Sequence, residues 1–148
     1  MRFEPRIPPL LLFVIIVLAM GVGAGEGGSL GGWSIIAMIL ALVGAALGLG
    51  ALTQFARQRT TVNPIRLQQS RVLVTLGVYR ISRNPMYLGL LCWLMALACH
   101  LGGLSVWLGP LVFFGWMTRV QIPAEERALR ARFGVAYLHY CRRVRRWC

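Results

Sequence analysis

Lysine is absent. All sixteen basic residues are arginines, and only four acidic residues, all glutamates, stand against them. Charged residues make up 14% of the 148-residue chain, whereas 57% of it is hydrophobic. That balance excludes an ordinary soluble domain of this length, and the length allows one domain. A net charge of +12 would point to nucleic acid in a soluble protein. Here the arginines flank apolar runs, as juxtamembrane anchors do, so no nucleic-acid partner is expected. Zinc-ligand spacing is missing from the four cysteines, Cys92, Cys99, Cys141 and Cys148, and neither His100 nor His139 has a second ligand at metal spacing. No metal site is expected, and Cys148 lacks a prenylation context. Nucleophile-elbow, HExxH, Walker and Rossmann fingerprints are also missing.

What the chain does have is four apolar runs near the length of a bilayer crossing, over about 8–25, 33–55, 85–101 and 104–122. The first, preceded by Arg2 and Arg6, resembles a signal peptide and is expected to stay as an uncleaved span. Pro123 is expected to interrupt the fourth. Arginines set the orientation. Two precede the first run, none lies between the first and second, and six (Arg57, Arg59, Arg66, Arg71, Arg80, Arg83) fill the loop 56–84. None lies in the Gly102-Gly103 turn, and eight follow or end the fourth run. Positive-inside bias then puts both termini and the middle loop in the cytoplasm. The second run carries Ala37, Ala41 and Ala45 with Gly44-x-x-x-Gly48, a face suited to close helix packing. Packing within the chain is favoured over a homo-oligomer contact.

The short link between the third and fourth runs forces an antiparallel hairpin with axes about 8–10 Å apart. Arg83-Asn84-Pro85-Met86-Tyr87 must therefore face Pro123-Ala124-Glu125-Glu126 at the cytoplasmic end. Asn84-Pro85 reads as a helix start with an Asn cap. Its free first-turn amides, with Arg80 and Arg83, form a candidate anion site, and Gly89 permits close approach of a ligand. Glu125 and Glu126 read either as first-turn dipole compensation or, for Glu126, as an inward carboxylate. The helical wheel over 124–144 places Glu126, Leu129, Phe133, Tyr137, Tyr140 and Val144 on one face of an amphipathic helix. The partner of Glu126 is Arg80, Arg83 or a cationic ligand. Glu4 and Glu26 lie far away in the chain.

Three ordered blocks resemble the isoprenylcysteine carboxyl methyltransferase and phospholipid methyltransferase family. They are Gly77-x-Tyr79-Arg80-x-x-Arg83-Asn84-Pro85-x-Tyr87-x-Gly89, then Glu125-Glu126-x-x-Leu129, then Phe133-Gly134-x-x-Tyr137-x-x-Tyr140 with Val144. Thr60-Thr61-Val62-Asn63-Pro64 looks like the lead-in of bacterial members. The resemblance implies an all-α polytopic membrane enzyme with four transmembrane helices and a C-terminal amphipathic cytoplasmic helix, in the bacterial inner membrane. It also implies S-adenosyl-L-methionine as methyl donor, S-adenosyl-L-homocysteine as product, and a lipophilic acceptor drawn from membrane lipids. The implied cofactor residues are Tyr79, Arg80, Arg83, Asn84, Pro85, Tyr87, Gly89, Glu125, Glu126, Phe133, Tyr137 and Tyr140, with Glu126 and Arg83 as the catalytic pair. Two positions depart from the family pattern: Asn84 stands where histidine is usual, and Val78 where proline is common. No histidine base is available there. Glu126 is the candidate base for any acceptor that must first lose a proton. Two other readings remain: an NADPH-dependent, sterol-reductase-like membrane enzyme, and a non-catalytic membrane module. Glu126 paired to Arg83 with no open cavity would favour the module.

Overall fold

The computed structural model describes residues 7–24, 34–57 and 72–148. Arg2, Glu4, Arg6, Glu26, Arg59, Arg66, Arg71 and the Thr60–Pro64 lead-in lie outside the described residues, as does the stretch 58–71 of the loop 56–84. All regular structure among the described residues is helical.

Four helices run through the apolar part of the chain. Helix α1 is Pro9–Gly23 and α2 is Ile35–Arg57. A short 3-10 turn, Gly77–Arg80, leads into α3, Pro85–Leu101. The Gly102-Gly103 turn and a second 3-10 turn, Ser105–Trp107, reverse the chain into α4, Leu108–Trp116. Proline opens α1 and α3 at the first helical positions, where its missing amide proton costs nothing.

Pro123 does not end a helix. The expected break is replaced by wider winding: Met117–Gln121 forms a π-helical turn, and α5, Ile122–Arg143, continues from it. In an ordinary helix the Pro123 ring would crowd the carbonyl four residues back. Here the Ile122 N–H donates to the Met117 carbonyl, one residue further back than in an α-helix. The path is helical from Leu108 to Arg143, apart from a kink at Gly134 (φ 49°, ψ −122°).

Packing follows the small residues. A Cβ built on Gly89 would come within 2.8 Å of the Gly44 carbonyl oxygen and 3.3 Å of the Gly48 amide nitrogen. The Gly44-x-x-x-Gly48 face of α2 therefore packs on α3 inside the chain. Helix α1 buries Leu12, Ile16 and Met20, one turn apart, against α3 and α4, with Phe13 edge-on to Phe113. The outward faces carry exposed Leu10, Leu18, Ile35, Leu42 and Leu111, an apolar surface that needs a non-aqueous neighbour. Among the described residues only α2 is long and apolar enough by itself to cross a bilayer; α1 and α3 are apolar but shorter. Length and composition thus single out one spanning helix where the sequence reading expected four.

Candidate active site

The antiparallel course of α3 and of α4–α5 brings the two polar blocks together. Tyr87, one turn into α3, donates its hydroxyl to Glu125 Oε1 at 2.6 Å, and Gln121 Nε2 donates to the same oxygen at 2.6 Å. Arg83 Nη1 lies 2.9 Å from Glu126 Oε1. Both glutamates are buried. Their place is the middle of a continuous helix, not a free first turn, so compensation of a helix N-terminus does not explain them. A buried carboxylate is costly without donors, and each has them.

Arg146 is the second partner of Glu126. Its Nε donates to Oε1 at 3.1 Å and its Nη2 to Oε2 at 2.8 Å. Nothing in the sequence separated it from the other arginines of the basic tail. The segment after α5 turns extended at Val144 and folds back over the start of α3. There the Arg83 N–H donates to the Arg145 carbonyl at 3.0 Å, and Asn84 Nδ2 donates to the Arg146 carbonyl at 3.0 Å. Asn84 therefore does not cap α3 with its side chain, as the sequence reading expected; the amide is spent on the returning segment. Buried Ser82 supports the same junction: its Oγ accepts from the Asn84 N–H at 3.1 Å and donates to the Arg146 carbonyl at 3.3 Å.

These groups border an open cleft with a water-accessible interior of about 110 Å³. Of the expected residues, Tyr79, Arg83, Asn84, Tyr87, Glu125, Glu126, Phe133, Tyr137 and Tyr140 line it, with Val72, Leu73, Met86 and Leu129. Three do not. Arg80 is exposed and outside the lining, and Pro85 is buried in the α3 start. Gly89 faces α2, where the near neighbour is backbone rather than a ligand. The aromatic stripe of α5 holds despite the kink: Tyr137, Tyr140 and Val144 are buried together. Tyr140 donates its hydroxyl to the Tyr79 carbonyl at 2.7 Å, fixing the 3-10 turn to α5.

Electrostatics around the cleft are set by burial. Burial pushes the Tyr79, Tyr137 and Tyr140 hydroxyls above their ordinary range, so they stay protonated. For Arg83, burial acts to lower the guanidinium, but the Glu126 carboxylate and the neighbouring Cys141 outweigh it and hold it above its usual value. Arg83 Nη1 also donates to Cys141 Sγ at 2.8 Å, whereas its Nε is buried with no protein partner.

A second space lies beside the first. An apolar groove with an interior of about 730 Å³ runs between α1, α2 and α3, past Phe13, Gly44, Leu52 and Trp93. Met86 and Tyr87 line both spaces.

A family model for phospholipid methyltransferases matches residues 33–136, from α2 through most of α5. The chain belongs to the phospholipid methyltransferase family. Its relatives include a probable protein-S-isoprenylcysteine O-methyltransferase from Oryza sativa subsp. indica, 31% identical over 112 residues. That match takes in 75% of this chain and 58% of the rice protein. Protein-S-isoprenylcysteine O-methyltransferase A from Arabidopsis thaliana is 32% identical over 108 residues, covering 72% of this chain and 54% of that one. An uncharacterized protein from Haemophilus influenzae is 42% identical over 62 residues, 42% of this chain and 98% of that protein. The chain spans a little over half the length of the plant relatives it matches. No solved structure matches. Membership of this family disfavours the reductase reading, and an open cleft lies beside the Glu126–Arg83 pair, whereas the module reading called for that pair with no open cavity.

Proposed function

We propose that this protein is an integral membrane, S-adenosyl-L-methionine-dependent methyltransferase acting on a lipophilic acceptor. The observation that carries the reading is the cleft in which α3 supplies Arg83, Asn84 and Tyr87 while α5 supplies Glu125, Glu126, Tyr137 and Tyr140. Those groups suit a ligand with an anionic carboxylate, a cationic ammonium and a cationic sulfonium. Arg83, whose guanidinium lines the cleft, suits the carboxylate. Glu126 suits the ammonium. The faces of Phe133 and Tyr137 suit the adenine or the sulfonium. When bound, the cofactor supplies a methyl carbon already activated for displacement.

The chain's own contribution is then positioning and exclusion of water. Both Glu126 oxygens accept from guanidinium groups, so its role is to hold a ligand cation rather than to take a proton. Tyr87 and Met86 stand where the cleft meets the apolar groove. The groove suits the hydrocarbon part of an acceptor whose carboxylate, amine or thiol reaches the cleft past Tyr87. The arginine distribution and the exposed apolar faces support four spans, with both termini and the cleft cytoplasmic, in a bacterial inner membrane.

Titration calorimetry of the detergent-purified protein with S-adenosylhomocysteine tests the reading. Saturable binding is expected, lost in Arg83→Ala. Absence of binding at millimolar ligand overturns it.

A further inference from the structure

Residues beyond the family match hold one of the two cations on Glu126. The segment Val144–Cys148 is pinned on both sides of Arg146. On one side, the Arg145 and Arg146 carbonyls accept from the Arg83 N–H, Asn84 Nδ2 and Ser82 Oγ. On the other, Trp147 Nε1 donates to Thr118 Oγ1 at 3.2 Å, and the indole packs against Phe114 with centroids 5.0 Å apart. The Arg146 guanidinium then meets Glu126 with two nitrogens, a two-point contact that fixes the plane of the carboxylate. Arg146 is not among the residues lining the cleft, whereas Glu126 and Arg83 both are. One carboxylate thus has an outer guanidinium held by the returning backbone and an inner one facing the cleft. Two guanidinium groups meet one carboxylate, so the cluster carries one surplus positive charge, and Arg83 presents it at the cavity wall.

We propose that Arg146 is a positioning residue: from outside the cleft it fixes the plane of the Glu126 carboxylate and supplies the second positive charge on it, so that Arg83 takes the carboxylate of a zwitterionic amino-acid group whose ammonium rests on Glu126. The inference rests on the cofactor reading above. It assigns the amino-acid end of the donor to Arg83 and Glu126, and gives a role to a segment outside residues 33–136.

Two probes separate this role from a merely structural one. S-adenosylhomocysteine carries the amino-acid group, and 5′-methylthioadenosine lacks it. The wild type is expected to bind the first more tightly. In Arg146→Gln the affinity for S-adenosylhomocysteine falls about tenfold or more, the loss of a charge-assisted contact, while that for methylthioadenosine is unchanged. Arg146→Lys keeps the charge but not the two-point contact, so it shows the same selective loss to a smaller degree. It carries the test if the glutamine variant does not fold. Equal losses for both probes, no loss for either, or a wild type that does not discriminate between them overturns the proposal. A wild type that binds neither probe is a different result, which sinks the cofactor reading itself.

Discussion

At the residue scale, the cleft is built from shared donors, and each can be removed singly. Tyr87→Phe deletes one of the two 2.6 Å hydrogen bonds to buried Glu125 Oε1. A loss of about 1–3 kcal/mol in unfolding free energy is expected, read from denaturant unfolding in detergent. Alkaline titration probes the tyrosines outside the apolar helices. Burial raises the hydroxyl pKa values of Tyr79, Tyr137 and Tyr140 above the ordinary tyrosine range. The fold therefore binds their protons more tightly than the unfolded chain does. Stability from this source is complete below about pH 10 and declines as pH rises toward the folded-state values. Phenolate absorbance should thus appear together with unfolding, not before it. Tyr140→Phe should also loosen the 3-10 turn, because Tyr79 loses the donor at its carbonyl.

At the scale of elements, the crossing of α2 and α3 depends on the absence of side chains. Gly89→Ala forces a methyl group against the Gly44 carbonyl oxygen, which is backbone and cannot turn aside. A destabilisation of about 1–3 kcal/mol is expected, whereas Gly48→Ala, whose Cβ meets nothing within 4 Å, should lie near wild type; paired melting curves check both. The helical runs and the meeting of the Arg83–Tyr87 block with Glu125 and Glu126 were legible because hydropathy and a short link decide them. So was the aromatic stripe of α5, since residues spaced by three or four share a face. The role of Arg146 was not legible. Its contact with Glu126 spans twenty residues and depends on where an extended segment returns, which no local pattern encodes. The capping by Asn84 failed for the same reason, since a tertiary acceptor took its side chain. Gln121, four residues before Glu125 on one helix face, was within reach of the pattern but carries no charge to draw the eye.

At the scale of the whole molecule, orientation across the bilayer is open to chemistry. Cys148 is exposed and Cys92 is buried among the apolar helices. A membrane-impermeant maleimide should label Cys148 in inverted vesicles and not in intact spheroplasts, with Cys92 unlabelled in both; the reverse pattern for Cys148 overturns the cytoplasmic assignment. The turn at Met117–Gln121 sets the relation between the apolar helix α4 and the carboxylates of α5. Each residue of ordinary helix advances about 100° around the axis. Rewinding this turn without shortening it would swing Glu125 and Glu126 off Tyr87 and Arg83 and point them elsewhere. Cutting out one residue at the same place would keep their phase but restore ordinary winding, in which the Pro123 ring crowds the carbonyl four residues back. The surplus residue keeps two distant segments in phase around a proline, so neither a deletion nor an insertion there is expected to be tolerated.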